Sequence, residues 1–540
     1  MSARIFTLKW PSALELSHAQ KIGSFVGFRP DIGYIFRVNF VKCANLSHEN
    51  YEELLSKFGI KLTEKEKQFI ESLRGYDAFI YLKGPDLVLE VKNERRVEDL
   101  LRAGIINKEP RYGTLRVLPS NLWNLKRRLR SKGLRVKLGF RLDFKVNVRI
   151  TPSFKLRDYQ MEAYERWKKA GYRGVIVLPV AAGKTFIGIK AISDLQLKTL
   201  VLVPTIDLLR QWANVIQSRL NLPNSHIGVF GGGRKELRDI TVMTYDSARI
   251  YAERIIKKFG LIIADECHHA VSPGYSRVFR LSMAPYRLGL TATPFRSDAL
   301  HKLYPQIIGA IVYEVKPKAL QIKGYLATYE ERKIYVKLSP KEYSEYKKLM
   351  KVYMDYCKRM FPHIKDPRER FKAVLKRAAI DREARDALRA RHKARQIALS
   401  TERKLELVEK LLKKYSNEKV LLFSRYTDII RELSRRFFIP KILHDTPKNE
   451  RETLLKLFRE GKVTKLATAM ALDEGIDVPD ASVAIVISGT GSNREYIQRL
   501  GRILRPKEKK AILIEIITKG TIDYDLAYRR RRQEIFEEKV

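Results

Sequence analysis

From Gly174 onward, short apolar runs alternate with helical segments, and this alternation limits the folds open to the chain more than any other feature. The first runs are GVIVLP, TLVLVP, DITVMTY, GLIIADE and RLGLTATP. Such runs, without polar residues at alternate positions, are typical of strands buried on both faces of a parallel sheet. The pattern restarts at KVLLFS and continues through KILHDT, TKLATAM, SVAIVIS and KAILIEII. The sequence therefore predicts two α/β domains in tandem, each built on a parallel sheet.

The composition excludes several other classes of protein. Hydrophobic residues make up 45% of the 540 residues, which is enough for packed cores, so the chain is not globally disordered. No apolar run approaches the roughly 18 residues of a membrane span, and the N-terminal segment has no signal-peptide hydrophobic region. Three scattered cysteines cannot form a disulfide framework or a four-thiolate metal cluster. We therefore expect an intracellular protein without a membrane segment.

The net charge points to a polyanionic partner. The chain carries 106 Lys and Arg against 61 Asp and Glu, which gives a formal net charge of +45. An excess of this size repels itself unless a polyanion neutralises it, and nucleic acid is the usual one. A ribosome-associated protein and a merely basic surface are the alternatives that charge alone leaves open.

The rest of the chain divides by its patterns. The first 150 residues read as mixed strands and helices, and residues 77–150 end in a basic stretch that includes NLWNLKRRLRSKGLRVKLGF. Between the two sheet domains, Lys341 to Arg395 has helical spacing with 18 basic and 8 acidic side chains. Pro362 and Pro367 predict a helical hairpin that turns around HIKDP. This hairpin is either a solvated charged helix pair or a grip on nucleic acid.

The segment VLPVAAGKTFIGIK has the pattern of a phosphate-binding loop. A buried strand leads into small residues that end at Gly183, and Lys184 and Thr185 then open a helix. Small residues let backbone N–H groups approach a phosphate, which the helix N-terminus also favours. Lys184 can reach the β- and γ-phosphates and the Thr185 hydroxyl can bind Mg²⁺. The strict signature has glycine where this chain has Leu178, so the motif is a relaxed one.

Two adjacent carboxylates follow the strand in GLIIADECHH. Hydrolysis of ATP needs one carboxylate to hold Mg²⁺ and another to orient the attacking water, roles that suit Asp265 and Glu266 in that order. The neighbouring Cys267, His268 and His269 suggest a zinc site, but no second pair of ligands accompanies them. We therefore expect no zinc site there.

In the second sheet domain, QRLGRILRP places Gln498, Arg502 and Arg505 on one helix. Its arginines are available as arginine fingers that stabilise charge on a transferring phosphoryl group.

Together these segments resemble a known motif series. LRDYQ, AAGKT, VPTIDLLRQW, TYDSA, DECHH, LTATP, LLFSRY, DEGIDVPDA and QRLGRILRP occur in the order found in superfamily 2 helicases. DECHH, APYRLGLTATP, LDEGIDVPDASV and REYIQRLGRILRP are similar to the XPB-type helicases of archaea. The resemblance covers roughly residues 77–540. It implies two tandem RecA-like parallel-sheet motor domains, a helical thumb insertion and an N-terminal α+β region.

The resemblance assigns ATP chemistry to matching positions, with ATP and Mg²⁺ as cofactors. The implied nucleotide-binding residues are Arg157, Gln160, Gly183, Lys184, Thr185, Gly475 and Asp477. The implied magnesium ligands are Thr185 and Asp265. The implied catalytic residues are Lys184, Glu266, Gln498, Arg502 and Arg505.

The resemblance also assigns contacts with DNA and the coupling of hydrolysis to movement. The residues implied in DNA binding are Pro204, Thr205, Thr244, Thr427, Thr468 and Arg296. Hydroxyls and backbone amides at loop starts suit this task because they bind phosphates without reading sequence. The threonines are equally suited to cap helices or turns, and both interpretations stay open for them. The implied coupling residues are His268, Thr291 and Thr293.

Further expectations follow for the domains. We expect domains at 1–76, which has no assignment, at 77–150, similar to the damage-recognition domain of the family, at 151–310 and at 311–540. The thumb is expected at 341–395, which favours the nucleic-acid grip. The chain departs from the family pattern in two places. Val180, Ala181 and Ala182 replace the usual Thr-Gly-Ser-like loop, which bears on the rate of ATP turnover. Arg296-Ser297-Asp298 lacks the glutamate of the Arg-Glu-Asp unwinding element, so we expect weaker strand separation.

The expected function is an ATP-dependent 3′-to-5′ DNA helicase or translocase in nucleotide excision repair or transcription. One alternative is a duplex translocase or an ATP-driven clamp that opens DNA with little processive unwinding. Others are a non-enzymatic basic DNA-binding scaffold and an RNA helicase. The expected partners are single-stranded and forked duplex DNA and an accessory nuclease or repair protein. We expect a monomer of archaeal type, cytoplasmic and nucleoid-associated.

Overall fold

The computed structural model of the chain describes residues 4–46, 48–109, 113–255, 257–296, 298–325, 329–424, 426–469, 481–488, 511–525 and 527. Contacts divide the chain into two units. The first contains Met1–Ile176 and Thr185–Tyr313, and the second contains Val177–Lys184 and Glu314–Val540.

The first 76 residues form a small α+β fold around a three-stranded antiparallel sheet of order β1-β3-β2. Ser12 and Thr63 begin two of its helices with capping boxes. The mixture of strands and helices predicted for this region is present. The elements are β1 (Ile5–Leu8), α1 (Ala13–Ile22), β2 (Gly23–Arg29), β3 (Gly33–Val38), α2 (Phe40–Ala44), α3 (His48–Lys57) and α4 (Glu64–Ser72).

A five-stranded sheet of order β6-β7-β5-β4-β8 follows. A buried polar seam joins it to the preceding fold, because the Asn39 side-chain amide donates to the Val91 carbonyl at 3.0 Å and the Phe40 N–H to a Glu90 carboxylate oxygen at 3.3 Å. Burial raises the pKa of Glu90. The elements are β4 (Ala78–Lys83), β5 (Asp86–Val91), α5 (Glu98–Arg102), β6 (Ile106–Lys108), β7 (Leu115–Val117), α6 (Leu122–Ser131) and β8 (Val136–Leu138).

The first large sheet has eight strands in the order β12-β11-β13-β10-β14-β15-β9-β16. All five predicted apolar runs are strands of this sheet. The sheet continues to Glu314, beyond the boundary expected at residue 310. Its elements are α7 (Asp158–Lys169), β9 (Arg173–Val177), α8 (Lys184–Leu195), β10 (Thr199–Val203), α9 (Ile206–Arg219), β11 (Ile227–Gly231), β12 (Arg234–Lys235), β13 (Ile240–Thr244), α10 (Tyr245–Ile250), β14 (Leu261–Asp265), α11 (Pro273–Leu281), β15 (Tyr286–Thr291), α12 (Tyr304–Ile307) and β16 (Ile311–Glu314).

The second large sheet, in the second unit, has six strands in the order β17-β22-β21-β18-β20-β19, and each neighbouring pair is parallel. The five predicted strands are present, and β17 precedes the helical insertion. The elements are α13 (Pro317–Ile322), β17 (Tyr329–Val336), α14 (Pro340–Met360), α15 (Pro367–Arg377), α16 (Arg382–Leu399), α17 (Glu402–Lys414), β18 (Val420–Ser424), α18 (Thr427–Phe437), β19 (Lys441–Ile442), α19 (Lys448–Glu460), β20 (Lys465–Thr468), β21 (Val483–Ser488) and β22 (Ala511–Thr518).

The insertion at 341–395 contains three helices, α14 to α16, so the prediction of a two-helix hairpin was wrong. A second break follows α15, where Asp381 caps α16 by accepting the N–H groups of Glu383 and Ala384 at 2.9 and 3.3 Å. The Tyr356 hydroxyl also donates to this carboxylate, at 2.6 Å. The Tyr356 hydrogen bond is the main reason that the pKa of Asp381 lies at about 2. The cap is therefore ionised at neutral pH.

A buried ion pair fixes the end of the second sheet. The Lys404 ammonium, which is fully buried, donates to Asp523 at 2.8 Å and to the Ile487 carbonyl at 2.5 Å. The same Asp523 oxygen accepts the Thr518 N–H at 2.9 Å. The pair thereby joins α17 to the ends of β21 and β22.

We predict that Lys404→Met lowers the stability of the second unit, because it leaves the Asp523 carboxylate buried without its cation. Breaking such a pair costs about 3–5 kcal/mol. Urea unfolding followed by circular dichroism measures the loss. Lys410→Met, at an exposed position of α17, is the control and should change stability little. Equal transition midpoints for the two variants would contradict the prediction.

Candidate nucleotide and nucleic-acid site

The loop before α8 has the backbone of an anion-binding turn. Ala181 and Gly183 have φ of +64° and +73° on either side of Ala182. Alternation of left- and right-handed residues turns successive N–H groups toward one side, which favours an anion. The Lys184 ammonium donates to the carbonyls of Leu178 and Pro179 at 3.3 and 3.4 Å, so it lies over the loop. Thr185 follows in the first turn of α8, so the strand, loop and helix that the sequence indicates at Gly183, Lys184 and Thr185 are present.

The two predicted carboxylates stand at the end of β14. Asp265 is 6% exposed, and its Oδ2 accepts the indole N–H of Trp212 at 2.7 Å. Its Oδ1 accepts the Glu266 N–H at 3.0 Å, and its carbonyl accepts the hydroxyl of buried Tyr245 at 3.0 Å. Glu266 has a φ of +44°, a left-handed conformation that is rare and costly for a glutamate. Such strain at a carboxylate is typical of a functional position.

Three predicted coupling residues lie together behind Glu266. The Thr291 hydroxyl is fully buried at the end of β15 and lies 3.4 Å from Oε2 of Glu266 and 3.3 Å from Nδ1 of His268. It accepts the Thr293 N–H at 3.1 Å. His268 is also fully buried and lies 3.4 Å from Oε2 of Glu266. This one hydroxyl therefore contacts the carboxylate, the histidine and the loop that follows β15.

Arg296, predicted to bind DNA, is engaged within the first unit. Its guanidinium forms two hydrogen bonds with the Asp298 carboxylate, at 2.9 and 2.6 Å, and donates to the His268 carbonyl at 2.6 Å. The Arg296 hydrogen bond holds the pKa of Asp298 at about 2. The pair is thus intact at neutral pH and separates only as the pH falls toward that value. Ser297, between them, lies outside the described residues.

Arg157 and Gln160, which the resemblance assigns to nucleotide binding, lie at the start of α7. Gln160 is 4% exposed and its Oε1 accepts the Arg157 N–H at 2.9 Å, which closes the N-terminus of the helix. The Arg157 side chain is exposed. The glutamine thus fixes the backbone on which Arg157 stands.

Three neighbouring parallel strands bring the predicted DNA residues of the first sheet to one edge. Strand β10 leads to Pro204 and Thr205, and β13 ends at Thr244. Both threonines cap helices, because Thr205 accepts the Leu208 N–H and Thr244 the Ser247 N–H, each at 3.3 Å. Capping is therefore what the structure shows for these hydroxyls.

The third strand of this edge, β11, ends in a run that the sequence interpretation missed. Gly231, Gly232 and Gly233 have φ of +152°, +58° and +91°. A Cβ on Gly231 would lie 3.1 Å from Cγ2 of Thr244, and one on Gly232 would lie 3.3 Å from Cγ2 of Ile206. Exposed Arg234 and Lys235 follow. The sequence GGGRK directly after an apolar run could have indicated this glycine turn with basic residues beside it.

In the second unit, Thr427 is the first residue of α18. Thr468 ends β20 and is fully buried, and its hydroxyl donates to the Ala469 carbonyl at 2.7 Å. Its side chain is therefore not presented to a ligand, which differs from the expectation of a DNA contact. The remaining predicted residues lie outside the described residues and are Gly475, Asp477, Gln498, Arg502 and Arg505.

The sequence interpretation also assigned no role to Trp212, which lies near the carboxylates. Trp212 is the last residue of the VPTIDLLRQW segment, lies in α9 and is 1% exposed. A buried indole needs an acceptor for its N–H, but the sequence does not say which group supplies it. Only the packing of α9 against the sheet identifies Asp265 as that group.

Neither a thiolate metal site nor a membrane helix is found among the described residues. Burial raises the pKa of the Cys267 thiol, and that part of the chain contains no group of three or more His, Cys, Asp and Glu able to hold a metal. No helix there has both the length and the apolar surface for crossing a membrane.

Two family profiles match the chain. Residues 153–296 match the type III restriction enzyme res subunit, and residues 403–507 match the helicase conserved C-terminal domain. The first match contains the phosphate loop and the carboxylates, and the second begins in α17.

Several relatives are similar over most of the chain. The DNA 3′-5′ translocase XPB2 of Sulfurisphaera tokodaii is 45% identical over 382 residues, 71% of this chain and 86% of that protein. The DNA 3′-5′ helicase XPB of Mycobacterium tuberculosis is 33% identical over 70% of this chain and 63% of its own length. A putative DNA 3′-5′ helicase Rad25 of Haloarcula marismortui is 29% identical over 93% of this chain and 76% of that protein.

The Thr291 hydroxyl gives a testable prediction. Thr291→Val should lower stability by about 1–3 kcal/mol, because the buried Thr293 N–H loses its acceptor. It should also lower ATP turnover, since Glu266 loses a neighbouring hydroxyl. Urea unfolding and steady-state phosphate release measure the two effects.

Two control variants separate those effects. Thr291→Ser keeps the hydroxyl and should retain both properties. Thr241→Val removes a buried hydroxyl that bonds the N–H and carbonyl of Arg238, so it should cost stability alone. Full turnover in the Thr291→Val variant would contradict the prediction.

Proposed function

The chain belongs to the XPB-type helicases of superfamily 2, and on that premise we propose that its described site binds ATP·Mg²⁺ and drives 3′-to-5′ movement along DNA with opening of the strands. Enzymes of this family are DNA-dependent ATPases. The observation that carries the proposal is the pair Asp265 and Glu266 at one strand end, with the Thr291 hydroxyl behind them. The pair supplies the two carboxylates of ATP hydrolysis, and Thr291 connects them to the next loop.

The donor set suits magnesium. Mg²⁺ prefers hard oxygen ligands and takes one or two from the protein, with the rest from phosphates and water. Asp265 and Thr185 offer a carboxylate and a hydroxyl of this kind. When bound, the ion neutralises charge on the β- and γ-phosphates. Lys184 and the backbone N–H groups of its loop bind the phosphates, and Glu266 orients the attacking water and accepts its proton.

Coupling to DNA is proposed to run through the buried hydroxyl cluster. A change in the position of the Glu266 carboxylate alters its contacts with Thr291 and His268. Thr291 also bonds Thr293, and the His268 carbonyl bonds Arg296. Each side of this cluster therefore reaches the loop after β15, which is where the state of the nucleotide would be passed to the DNA.

DNA is proposed to pass the edge formed by Pro204, Thr205, Thr244 and the glycine run 231–233. Backbone N–H groups at helix starts and in left-handed turns bind phosphates without reading bases. Arg234 and Lys235 add charge at the same edge. This proposal assigns the phosphate contacts to backbone groups, because the Thr205 and Thr244 hydroxyls already cap their helices.

The family motifs assign further residues to the proposed activity. Gln498, Arg502 and Arg505 would stabilise charge on the transferring phosphoryl group, and Gly475 and Asp477 would bind the nucleotide. Thr427, at the start of α18, would contact the DNA backbone. These assignments rest on the family motifs.

A second candidate function is a duplex translocase or ATP-driven clamp with little processive unwinding. The Arg296-Ser297-Asp298 segment lacks the family glutamate, and Arg296 is engaged by Asp298 and by the His268 carbonyl. An arginine held in this way is less available to separate strands. Strand displacement on blunt and 3′-tailed duplexes distinguishes the two, since a translocase hydrolyses ATP on duplex DNA without releasing a strand.

The wider setting is also a proposal. We place the protein at the nucleoid as a monomer acting in nucleotide excision repair or transcription, with an accessory nuclease or repair protein as partner. Sedimentation of the purified protein with and without forked DNA tests its oligomeric state.

Glu266→Gln should lower DNA-stimulated ATP hydrolysis by about 10²–10⁴-fold, the range for loss of a general base. It should retain nucleotide binding, because the amide keeps the shape of the carboxylate. Lys184→Ala should weaken both binding and hydrolysis. Glu253→Gln, at an exposed ion pair with Arg277, is the matched control.

The assay compares single-stranded DNA, duplex DNA and RNA at two salt concentrations. Turnover that Lys184→Ala leaves unchanged would refute the enzymatic site and favour the basic scaffold. Stimulation by RNA alone would instead favour an RNA helicase.

The thumb, defined as residues 341–395, should supply salt-sensitive DNA affinity, because its 18 basic and 8 acidic side chains leave a net charge of +10. Lys348, Lys351 and Lys358 are exposed on α14. Replacing all three with glutamate should lower the slope of log affinity against log salt by about 0.9 for each duplex phosphate that the thumb no longer neutralises. Basal ATP hydrolysis should not change.

Fluorescence anisotropy of labelled duplex DNA measures the slope. A control with Lys57, Lys65 and Lys61 changed to glutamate removes the same charge from the N-terminal fold. An unaltered slope in the thumb variant would overturn the assignment.

A further inference from the structure

We propose that Trp212 is a positioning residue that orients the Asp265 carboxylate for magnesium. The inference rests on the role proposed for Asp265 and extends it to a side chain outside the nucleotide site. The indole N–H of Trp212 donates to Oδ2 of Asp265 at 2.7 Å, and the two residues are 1% and 6% exposed. A buried charge-assisted hydrogen bond of this kind is both strong and directional.

The two carboxylate oxygens of Asp265 are held from different parts of the fold. The Glu266 N–H, at 3.0 Å, binds Oδ1 from the adjacent peptide, and Trp212 binds Oδ2 from α9. The indole restrains rotation of the carboxylate about its terminal torsion, which is intrinsically broad. It thereby helps to fix the directions in which the carboxylate oxygens present their lone pairs.

The position of the indole is in turn set by α8, the helix that begins with Lys184. A Cβ on Gly188 would lie 2.6 Å from Cη2 of Trp212 and 3.5 Å from Cδ1 of Ile263. Only glycine therefore allows the ring to lie between α8 and β14. The same side chain packs on the helix of the phosphate loop and holds the carboxylate of the neighbouring strand.

Residues that hydrogen-bond to a metal ligand without touching the metal contribute measurably to binding. Their loss typically lowers metal affinity or activity by about 10–100-fold. A tryptophan that only filled space would give its N–H to any nearby acceptor. Trp167 is an example, since it is fully buried and its indole donates to the Arg287 carbonyl at 2.9 Å. Trp167 thus serves as an internal comparison.

The test compares Trp212→Phe with Trp167→Phe in the 540-residue chain. Each variant keeps an aromatic ring and loses one buried N–H donor. Binding of Mn²⁺ in the presence of ADP is measured by electron paramagnetic resonance, which requires no turnover. Trp212→Phe should weaken Mn²⁺ binding by about 10–100-fold, whereas Trp167→Phe should retain wild-type affinity. Metal-free ADP binding should be unchanged in both.

Kinetics provide an independent readout. With DNA present, Trp212→Phe should lower kcat at low Mg²⁺ and recover part of it at high Mg²⁺, with little change in KM for ATP at saturating metal. Trp167→Phe should show no dependence on Mg²⁺ beyond that of the wild type. If Trp212→Phe does not fold, Gly188→Ala displaces the indole instead and should weaken Mn²⁺ binding in the same direction.

Asp265→Asn separates this inference from the proposed function. If Asp265→Asn leaves Mn²⁺ affinity unchanged, the role proposed for Asp265 fails and the present inference with it. If Asp265→Asn weakens Mn²⁺ binding but Trp212→Phe does not, only the positioning role fails. Equal losses in the Trp212 and Trp167 variants would show that the indole acts through general stability, which also overturns the inference.

Discussion

Burial of the strands on both faces of the first large sheet is the constraint on which the rest of the site depends. Strands β10, β13 and β14 are buried along their whole length, so they cannot carry reactive groups within the sheet. Polar chemistry is therefore confined to the residues where these strands end. Because the strands are parallel, their carboxyl ends meet at one edge. Asp265, Thr244 and Pro204 lie together there for this reason.

Groups at that edge still need to be held in place, and buried partners do this. Asp265 is fixed by an indole from α9 and by the peptide of Glu266, and Glu266 is fixed by a strained backbone and by Thr291 and His268. Each partner belongs to an element that also packs in the core. A change in these hydrogen bonds therefore alters the contacts of the loop after β15. This is the physical basis for the proposed coupling between the nucleotide and movement on DNA.

Buried or capping polar groups also connect elements in the second unit and in the N-terminal folds. Lys404 and Asp523 join the ends of two strands to α17, and Asp381 caps α16 within the thumb. Glu90, Asn39 and Val91 form the seam between the two N-terminal folds. In each case one buried or capping polar group connects elements that are far apart in sequence. The thumb, in contrast, carries a net charge of +10, which the proposed function assigns to contact with a polyanion.

The sequence by itself determined ten strands of the two large sheets, the order of the motifs and the placement of Lys184 at the start of a helix and of Asp265 and Glu266 at a strand end, because apolar runs and short motifs are local signals. It did not give the third thumb helix, since the start of α16 depends on Tyr356 and Arg377 meeting Asp381 in space. It also assigned Thr468 to a DNA contact, whereas the fold buries that hydroxyl. Trp212 and the glycine run 231–233 acquired meaning only from the tertiary structure. Their neighbours come from separate strands and helices, and which elements pack together is decided by the whole fold rather than by any one segment.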